Sequence, residues 1–357
     1  MTGRSRPAVD ALPAYRPGKA AAQAEAEHGI SNAIKLASNE TPWGPVPSVA
    51  VAIAEAATGV NRYADHRATA LRRALAGDLG VDEASVTVGC GSAGLLQQLC
   101  LTYVDPGDEV VYPWRSFEVY PVFTQLAGGT AVTVPLIDDA FDLDAVAAAI
   151  TPRTKLVFLA SPNNPTGTAV SARDLATFME SVDSTTLVVI DEAYREFNDP
   201  ALGDPVTDVL PHHDNAVVLR TFSKAHGLAG LRVGYMIAHP EVVAAVDKTL
   251  LPFAVNAIAQ AAAIAAIAAA GDIRERVAVL QDERARVVAA LTAAGHAFPQ
   301  PQANFVWLPF GDRTDEVHLG LEQRGVVTRP FPGEGIRVTI GSAEENDRFL
   351  STLAEVV

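Results

Sequence analysis

Short apolar runs recur along the middle of the chain: VTVG, DEVVYP, TAVTVPL, KLVFLA, TLVVID, AVVLRTFS and RVGYMIA. Segments with helical apolar spacing, such as FDLDAVAAAI and SARDLATFME, fall between them. Apolar runs of strand length alternating with such segments predict parallel strands joined by crossover helices, hence a doubly wound α/β domain with a large, mostly parallel sheet. Ligands of such sheets gather outside the carboxyl ends of the strands. Upstream, Ser48 to Ala57 and Ala68 to Leu79 also carry helical periodicity. The character changes at Pro252, where an alanine-rich helix, a long charged helix ending near Gly295, and the short strands NFVWLPF, VVTRPF and GIRVTIG predict a smaller α+β domain. Residues 1–40 read as an arm that completes this domain, because prolines at 7, 13 and 17 argue against a helix there. Within it, AAAQAEAEHG is either a short helix or an insert without fixed structure. The expected division is 1–40, 41–251 and 252–357.

Length supports two domains, since 357 residues with 49% hydrophobic content exceed what one core comfortably holds. The formal charge of −15 and the pI near 4.9 argue against a nucleic acid or an anionic membrane as partner, because such binding relies on Lys and Arg. Cys90 and Cys100 have neither CxxC nor metal-ligand spacing, and His212 and His213 have no zinc-like array around them. Reduced thiols, no metal and a cytoplasmic protein are therefore expected. The N-terminus shows no apolar core of a signal peptide. The apolar stretch from Ala257 to Ala270 contains Gln260 and is shorter than the ~20 residues of a membrane span, so it reads as a buried helix.

Candidate chemistry concentrates in three segments that each follow a predicted strand. TFSKAHGLAGLRVGY, Thr221 to Tyr235, sets Lys224 between Thr221 and Ser223 and a glycine-rich exit that leads to Arg232. LVVI delivers Asp191, with Tyr194 following in DEAY, and SPNNPTG offers Asn164 before a proline turn. Together these segments resemble the fold-type I pyridoxal phosphate aminotransferases, and SKAxGLAGLRxGY resembles the histidinol-phosphate aminotransferase branch. The chemistry agrees with the resemblance. A partly desolvated lysine can spend time neutral and hold the cofactor covalently. A buried carboxylate, Asp191, can keep the cofactor ring nitrogen protonated so that the ring acts as an electron sink. Asn164 and Tyr194 can donate to the ring O3′, while Arg232, Ser223 and Thr221 suit the phosphate.

GCGSAG, Gly89 to Gly94, spells the GxGxxG of dinucleotide enzymes, in which backbone N–H groups close around a phosphate. A dehydrogenase would not explain Lys224, Asp191 and NNPTG, so the phosphate is read as that of pyridoxal phosphate, at Ser92 and Ala93. The resemblance implies several further roles. Tyr63 stands where relatives carry RYP(D/E) and reach a neighbouring subunit's cofactor phosphate, although Ala64 replaces the proline; this implies a homodimer. In WRSFEVY, Phe117 aligns with the aromatic that stacks on the cofactor, with Trp114 as rival. Asn39, otherwise a turn residue, and Tyr15, otherwise a pin for the arm, match substrate-contacting positions. Arg337 and Arg329 match the acid-binding pocket, with strand ion pairs as the competing reading. Departures from GNGSDE at Cys90, Ala93 and Gly94, together with WRSFEVY, resemble the aromatic (phenylalanine) aminotransferases of the branch. Tyr15, Trp43, Phe117, Tyr120 and Phe253 could form an apolar substrate wall. The expected activity is ping-pong exchange between phenylalanine or tyrosine and 2-oxoglutarate. Histidinol phosphate is the alternative substrate, and a non-catalytic pyridoxal phosphate regulator is the remote one.

Overall fold

The computed structural model describes residues 5–12 and 18–357. Twelve strands appear in it: Ile34–Lys35 (β1), Val86–Gly89 (β2), Glu109–Trp114 (β3), Thr130–Pro135 (β4), Thr154–Ala160 (β5), Leu187–Asp191 (β6), Ala216–Thr221 (β7), Gly234–Ala238 (β8), Phe305–Leu308 (β9), Val326–Val327 (β10), Arg329–Phe331 (β11) and Gly335–Thr339 (β12). Seven form one sheet in the order β2-β8-β7-β6-β5-β3-β4. The run from β7 to β4 is parallel, and β8 is antiparallel to both neighbours. This is the expected α/β architecture with a large, mostly parallel sheet.

Helices cover both faces of this sheet, which explains why its central strands read as continuous apolar runs rather than alternating ones. Alternate side chains feed two cores: Val188, Ile190 and Val218 pack on one side, and Val189, Val217 and Leu219 on the other. The same alternation sorts the polar residues at the strand ends. Asp191 continues the face of Val189, and Thr221 that of Leu219. Arg220, on the opposite face, is buried and donates from Nε to Glu192 Oε2 at 2.9 Å, while its Nη2 donates to Asp204 Oδ1 at 2.5 Å. This ion cluster ties β7 to the turn after β6 directly behind the carboxyl edge.

A second, three-stranded antiparallel sheet has the order β11-β12-β9. The arm joins this part of the chain. β1 pairs in parallel with β10, Thr339 N donates to Leu36 O, and Asn39 N donates to Thr339 Oγ1. Lys19 Nζ lies between the carboxylates of Glu27 and Glu322, so that cation occupies the acidic group formed by Glu27, His28 and Glu322.

Two expectations change, and one left open is decided. Residues Pro7–Asp10 form one helical turn, because a proline that opens a helix gives up only an N–H that would be unsatisfied anyway. Ala21–His28 is a helix, ended by Gly29 in the left-handed conformation. The helix Ala257–Ala268, expected within the smaller domain, packs against Pro47–Ala57 and Thr69–Leu79. Its buried Ala259, Ala262, Ala263 and Ala266 allow that close approach. It turns by 80° into Ala270–Ala293, and among the described residues no single helix is long and apolar enough to cross a membrane.

The ion cluster behind the edge is sensitive to removal of one partner. Glu192→Ala leaves Arg220 buried with Asp204 alone and should lower unfolding stability by about 3 kcal/mol. The expected readout is a lower urea midpoint at unchanged slope.

Candidate active site

The turn after β7 carries Lys224. Gly227 N donates to Lys224 O and Leu228 N to Phe222 O, which folds the segment back on itself; Gly227 takes φ +70°, a conformation that a Cβ would strain. Lys224 Nζ donates to Ser38 O at 3.1 Å, so the arm supplies its partner. Burial, reinforced by the positive charge of Arg337, opposed by Glu40 and reinforced again by Arg232, lowers the pKa of Lys224 to about 7.

Asp191 ends β6 inside the protein. Tyr120 Oη donates to its Oδ2 at 3.0 Å, whereas Oδ1 is buried with no hydrogen-bond partner among the described residues. Burial raises the carboxyl pKa to about 6, with the Tyr120 hydrogen bond opposing the rise and Glu192 adding to it. Tyr120, expected in the substrate wall, lies behind the carboxylate instead, enclosed by Tyr112, Phe117 and Phe158. Its ring is fully buried, and a buried phenol needs an acceptor, which Asp191 provides.

Asn39 Nδ2 donates to Tyr194 Oη at 2.9 Å, and its Oδ1 accepts from Thr339 Oγ1 at 3.1 Å. The residue has φ 54°, a left-handed conformation that asparagine tolerates better than most residues. Asn164 follows β5; its Oδ1 accepts from Arg337 Nη1 at 2.5 Å, and Arg337 Nη2 donates to Ala37 O at 2.7 Å. Three strand ends and the arm therefore meet at one point.

An anion cradle lies beside them. The helix Gly91–Tyr103 begins there, with Ser92 and Ala93 in its first turn. Thr221 Oγ1 donates to Ser223 Oγ at 3.0 Å, and Arg232 Nη1 donates to the same oxygen at 3.3 Å. Arg232 itself has φ 57°, a costly conformation held by its surroundings. A Cβ on Gly234 would collide with Ser92 N, and one on Gly91 would lie 2.5 Å from Arg232 Nη2. Glycine at both positions lets the helix N-terminus and the guanidinium close on the same space.

One cleft brings together Lys224, Asp191, Asn164, Tyr194, Asn39 and Phe117, the cradle residues Ser92, Ala93, Thr221, Ser223 and Arg232, and the two arginines Arg329 and Arg337. The rival Trp114 stands outside this lining and carries the Arg115 guanidinium 4.6 Å over its ring. Trp43 lines a separate small cavity with His226 and Arg276. Phe253 stacks on Tyr63 at 4.5 Å. Tyr63 is 83% exposed and is not among the cleft residues. Of the expected aromatic wall, only Phe117 lines the cleft among the described residues. Tyr15 lies outside the described residues. Two cleft features escaped the motifs: Ser38, acting through its backbone oxygen, and Glu118, whose Oε2 accepts from Arg329 Nη2 at 2.7 Å. The only sequence signal for Glu118 was an acid beside Phe117.

The sequence model described as "Aminotransferase class I and II" matches residues 31–353. An aromatic amino acid aminotransferase of Thermobifida fusca (strain YX) is 52% identical over 347 residues, spanning 97% of this chain and 95% of that protein. One of Mycobacterium tuberculosis (strain ATCC 25618 / H37Rv) is 49% identical over 352 residues, spanning 98% and 97%. The crystal structure of histidinol-phosphate aminotransferase from Sinorhizobium meliloti in complex with pyridoxal-5'-phosphate superposes with a TM-score of 0.92 at 32% identity, covering 100% of this chain and 98% of that one. With its strand-end lysine, buried aspartate and anion cradle in one cleft, this chain belongs to the class I and II aminotransferases.

Proposed function

We propose that the protein exchanges amino groups between aromatic amino acids, phenylalanine and tyrosine, and 2-oxoglutarate, with pyridoxal 5'-phosphate as cofactor. The observation that carries this reading is the pairing, in one cleft, of a lysine with a pKa near 7 and a buried aspartate with one oxygen unclaimed. That oxygen, Asp191 Oδ1, suits a protonated ring nitrogen, and the glycine-lined cradle suits a phosphate, so the residues present fit the cofactor. Arg232, Ser223, Thr221 and the first amides of the helix at Ser92 and Ala93 would hold the phosphate. Tyr194 and Asn164 would bind the ring hydroxyl, and Phe117 would cover the ring. When bound, the cofactor supplies an electron sink for cleavage at the substrate Cα. Lys224 Nζ would anchor it and, as the free amine, would carry the proton between the substrate Cα and the cofactor C4′. Arg337 offers a planar fork to the substrate carboxylate, with Asn39 beside it. The division into an arm (1–40), a cofactor-binding part (41–251) and a smaller part (252–357) is retained with helix Ala257–Ala268 moved to the cofactor side. A cytoplasmic location suits the free thiols of Cys90 and Cys100.

The sequence relatives' names and the placement of Phe117 support aromatic substrates. Histidinol phosphate, in the name of the 32% identical structural relative, is the second reading, and the sequence relatives at about 50% identity do not favour it. Exposed apolar side chains at Val51, Val60, Leu251 and Phe253 accompany Tyr63 and support a two-fold dimer in which Tyr63 reaches the neighbouring cradle.

Five outcomes test this reading. A lysine with depressed pKa is neutral, and nucleophilic, above that pKa. Covalent capture of the cofactor by apo-protein, followed by absorbance in stopped flow, should therefore accelerate as pH rises through about 7 and level off above it. Lys224→Ala should abolish both that capture and transamination. Sedimentation at assay concentration should give a dimer, and Tyr63→Ala should weaken cofactor affinity by about tenfold, a loss of about 1.4 kcal/mol; an active monomer would defeat the composite site. Finally, kcat/KM for phenylpyruvate should exceed that for histidinol phosphate. A hundredfold preference the other way, about 2.7 kcal/mol of transition-state binding, would replace the aromatic reading with the second one.

A further inference from the structure

We infer that Glu118 is a specificity-determining residue that competes with anionic substrate groups for Arg329; the inference rests on the aminotransferase reading above. Four cationic side chains converge on the cleft, Lys224, Arg232, Arg329 and Arg337, together with two acids, Asp191 and Glu118. In the proposed reaction Lys224 anchors the cofactor, Arg232 meets its phosphate, Asp191 meets its ring nitrogen, and Arg337 meets the substrate carboxylate. Arg329 is then the cation that remains for a second anionic group on the substrate. Glu118 already occupies it: Oε2 accepts from Arg329 Nη2 at 2.7 Å, across 211 residues of sequence. Glu118 stands at the start of the helix Val119–Ala127, on the side of the large sheet, and Arg329 opens β11 of the small sheet. The pair therefore spans the cleft, directly beside Phe117.

The two partners differ in freedom. Arg329 is 14% exposed and Glu118 37%, so the carboxylate is the partner that can rotate into water. An uncharged aromatic side chain leaves the pair intact and lies against Phe117. A phosphate or a second carboxylate must share Arg329 with the Glu118 carboxylate or displace it, and in either case gives back part of what it gains. Glu118 thus admits a dicarboxylate partner while tilting the site toward substrates whose side chain is neutral.

The test compares holoenzyme with Glu118→Gln, which keeps shape and removes charge, and with Glu118→Ala, using two unreactive ligands, glutarate and 3-phenylpropionate, by titration calorimetry. The ratio of the Kd for glutarate to that for 3-phenylpropionate should fall about fivefold in both variants, the size expected when a partly exposed ion pair no longer competes. An unchanged or increased ratio in both overturns the inference. Failure of the underlying reading looks different: wild-type holoenzyme would bind neither ligand and would transaminate neither phenylalanine nor 2-oxoglutarate.

Discussion

Desolvation acts on two groups in this cleft that the proposed reaction needs in different states, one neutral and one charged. It pushes the Lys224 amine toward neutrality, which that reaction needs, and pushes the Asp191 carboxyl toward neutrality, which that reaction cannot use. The protein resolves the conflict by local donors rather than by burying one group less. Tyr120 gives its hydroxyl hydrogen to Asp191 Oδ2 and so favours the carboxylate, while Arg337 and Arg232 add positive charge near Lys224 and favour the free amine. At neutral pH the amine is then partly neutral and the carboxylate largely charged, with one of its oxygens unclaimed.

Holding that balance requires the cleft to be assembled from distant parts of the chain. The carboxyl ends of β5, β6 and β7 deliver Asn164, Asp191 and Lys224 to one edge, and the Arg220 ion cluster fastens two of those ends from behind. The arm contributes as much as any strand, because its pairing with β10 and its bonds to Thr339 carry Ser38 to the lysine and Asn39 to Tyr194. The cradle depends on missing side chains: at Gly91 and Gly234 the absence of Cβ leaves room for the Ser92 amide and the Arg232 guanidinium to close on the same space.

Much of this was legible in the chain itself. Strands β5, β6 and β7 are buried on both faces, so their sequences are nearly all apolar and visible as runs; Lys224, Asp191 and Asn164 follow at their ends, in segments whose turn chemistry is local. The anion cradle was legible for the same reason, since its glycines and its arginine each sit in a short contiguous motif. Tyr120 was misread as substrate wall, because nothing within a few residues says which acceptor a buried phenol will find. The single turn at Pro7 was misread because a proline forbids the interior of a helix but not its start. The alanine-rich helix was correctly read as buried, yet small residues do not reveal which helices they approach, and its partners lie some two hundred residues upstream.

By itself, then, the sequence determined the parallel sheet, the lysine, aspartate and asparagine at its edge, and the class of cofactor they suit, because each depends on periodicity or on neighbours a few residues apart. Only the tertiary structure decided that Phe117 rather than Trp114 lines the cleft, that Tyr120 stands behind Asp191, that Tyr63 faces outward, and that Glu118 holds Arg329 across the cleft. Those outcomes are set by which segments meet in space and in what orientation, and the pairs concerned are separated by up to 211 residues, a distance over which local pattern carries no geometry.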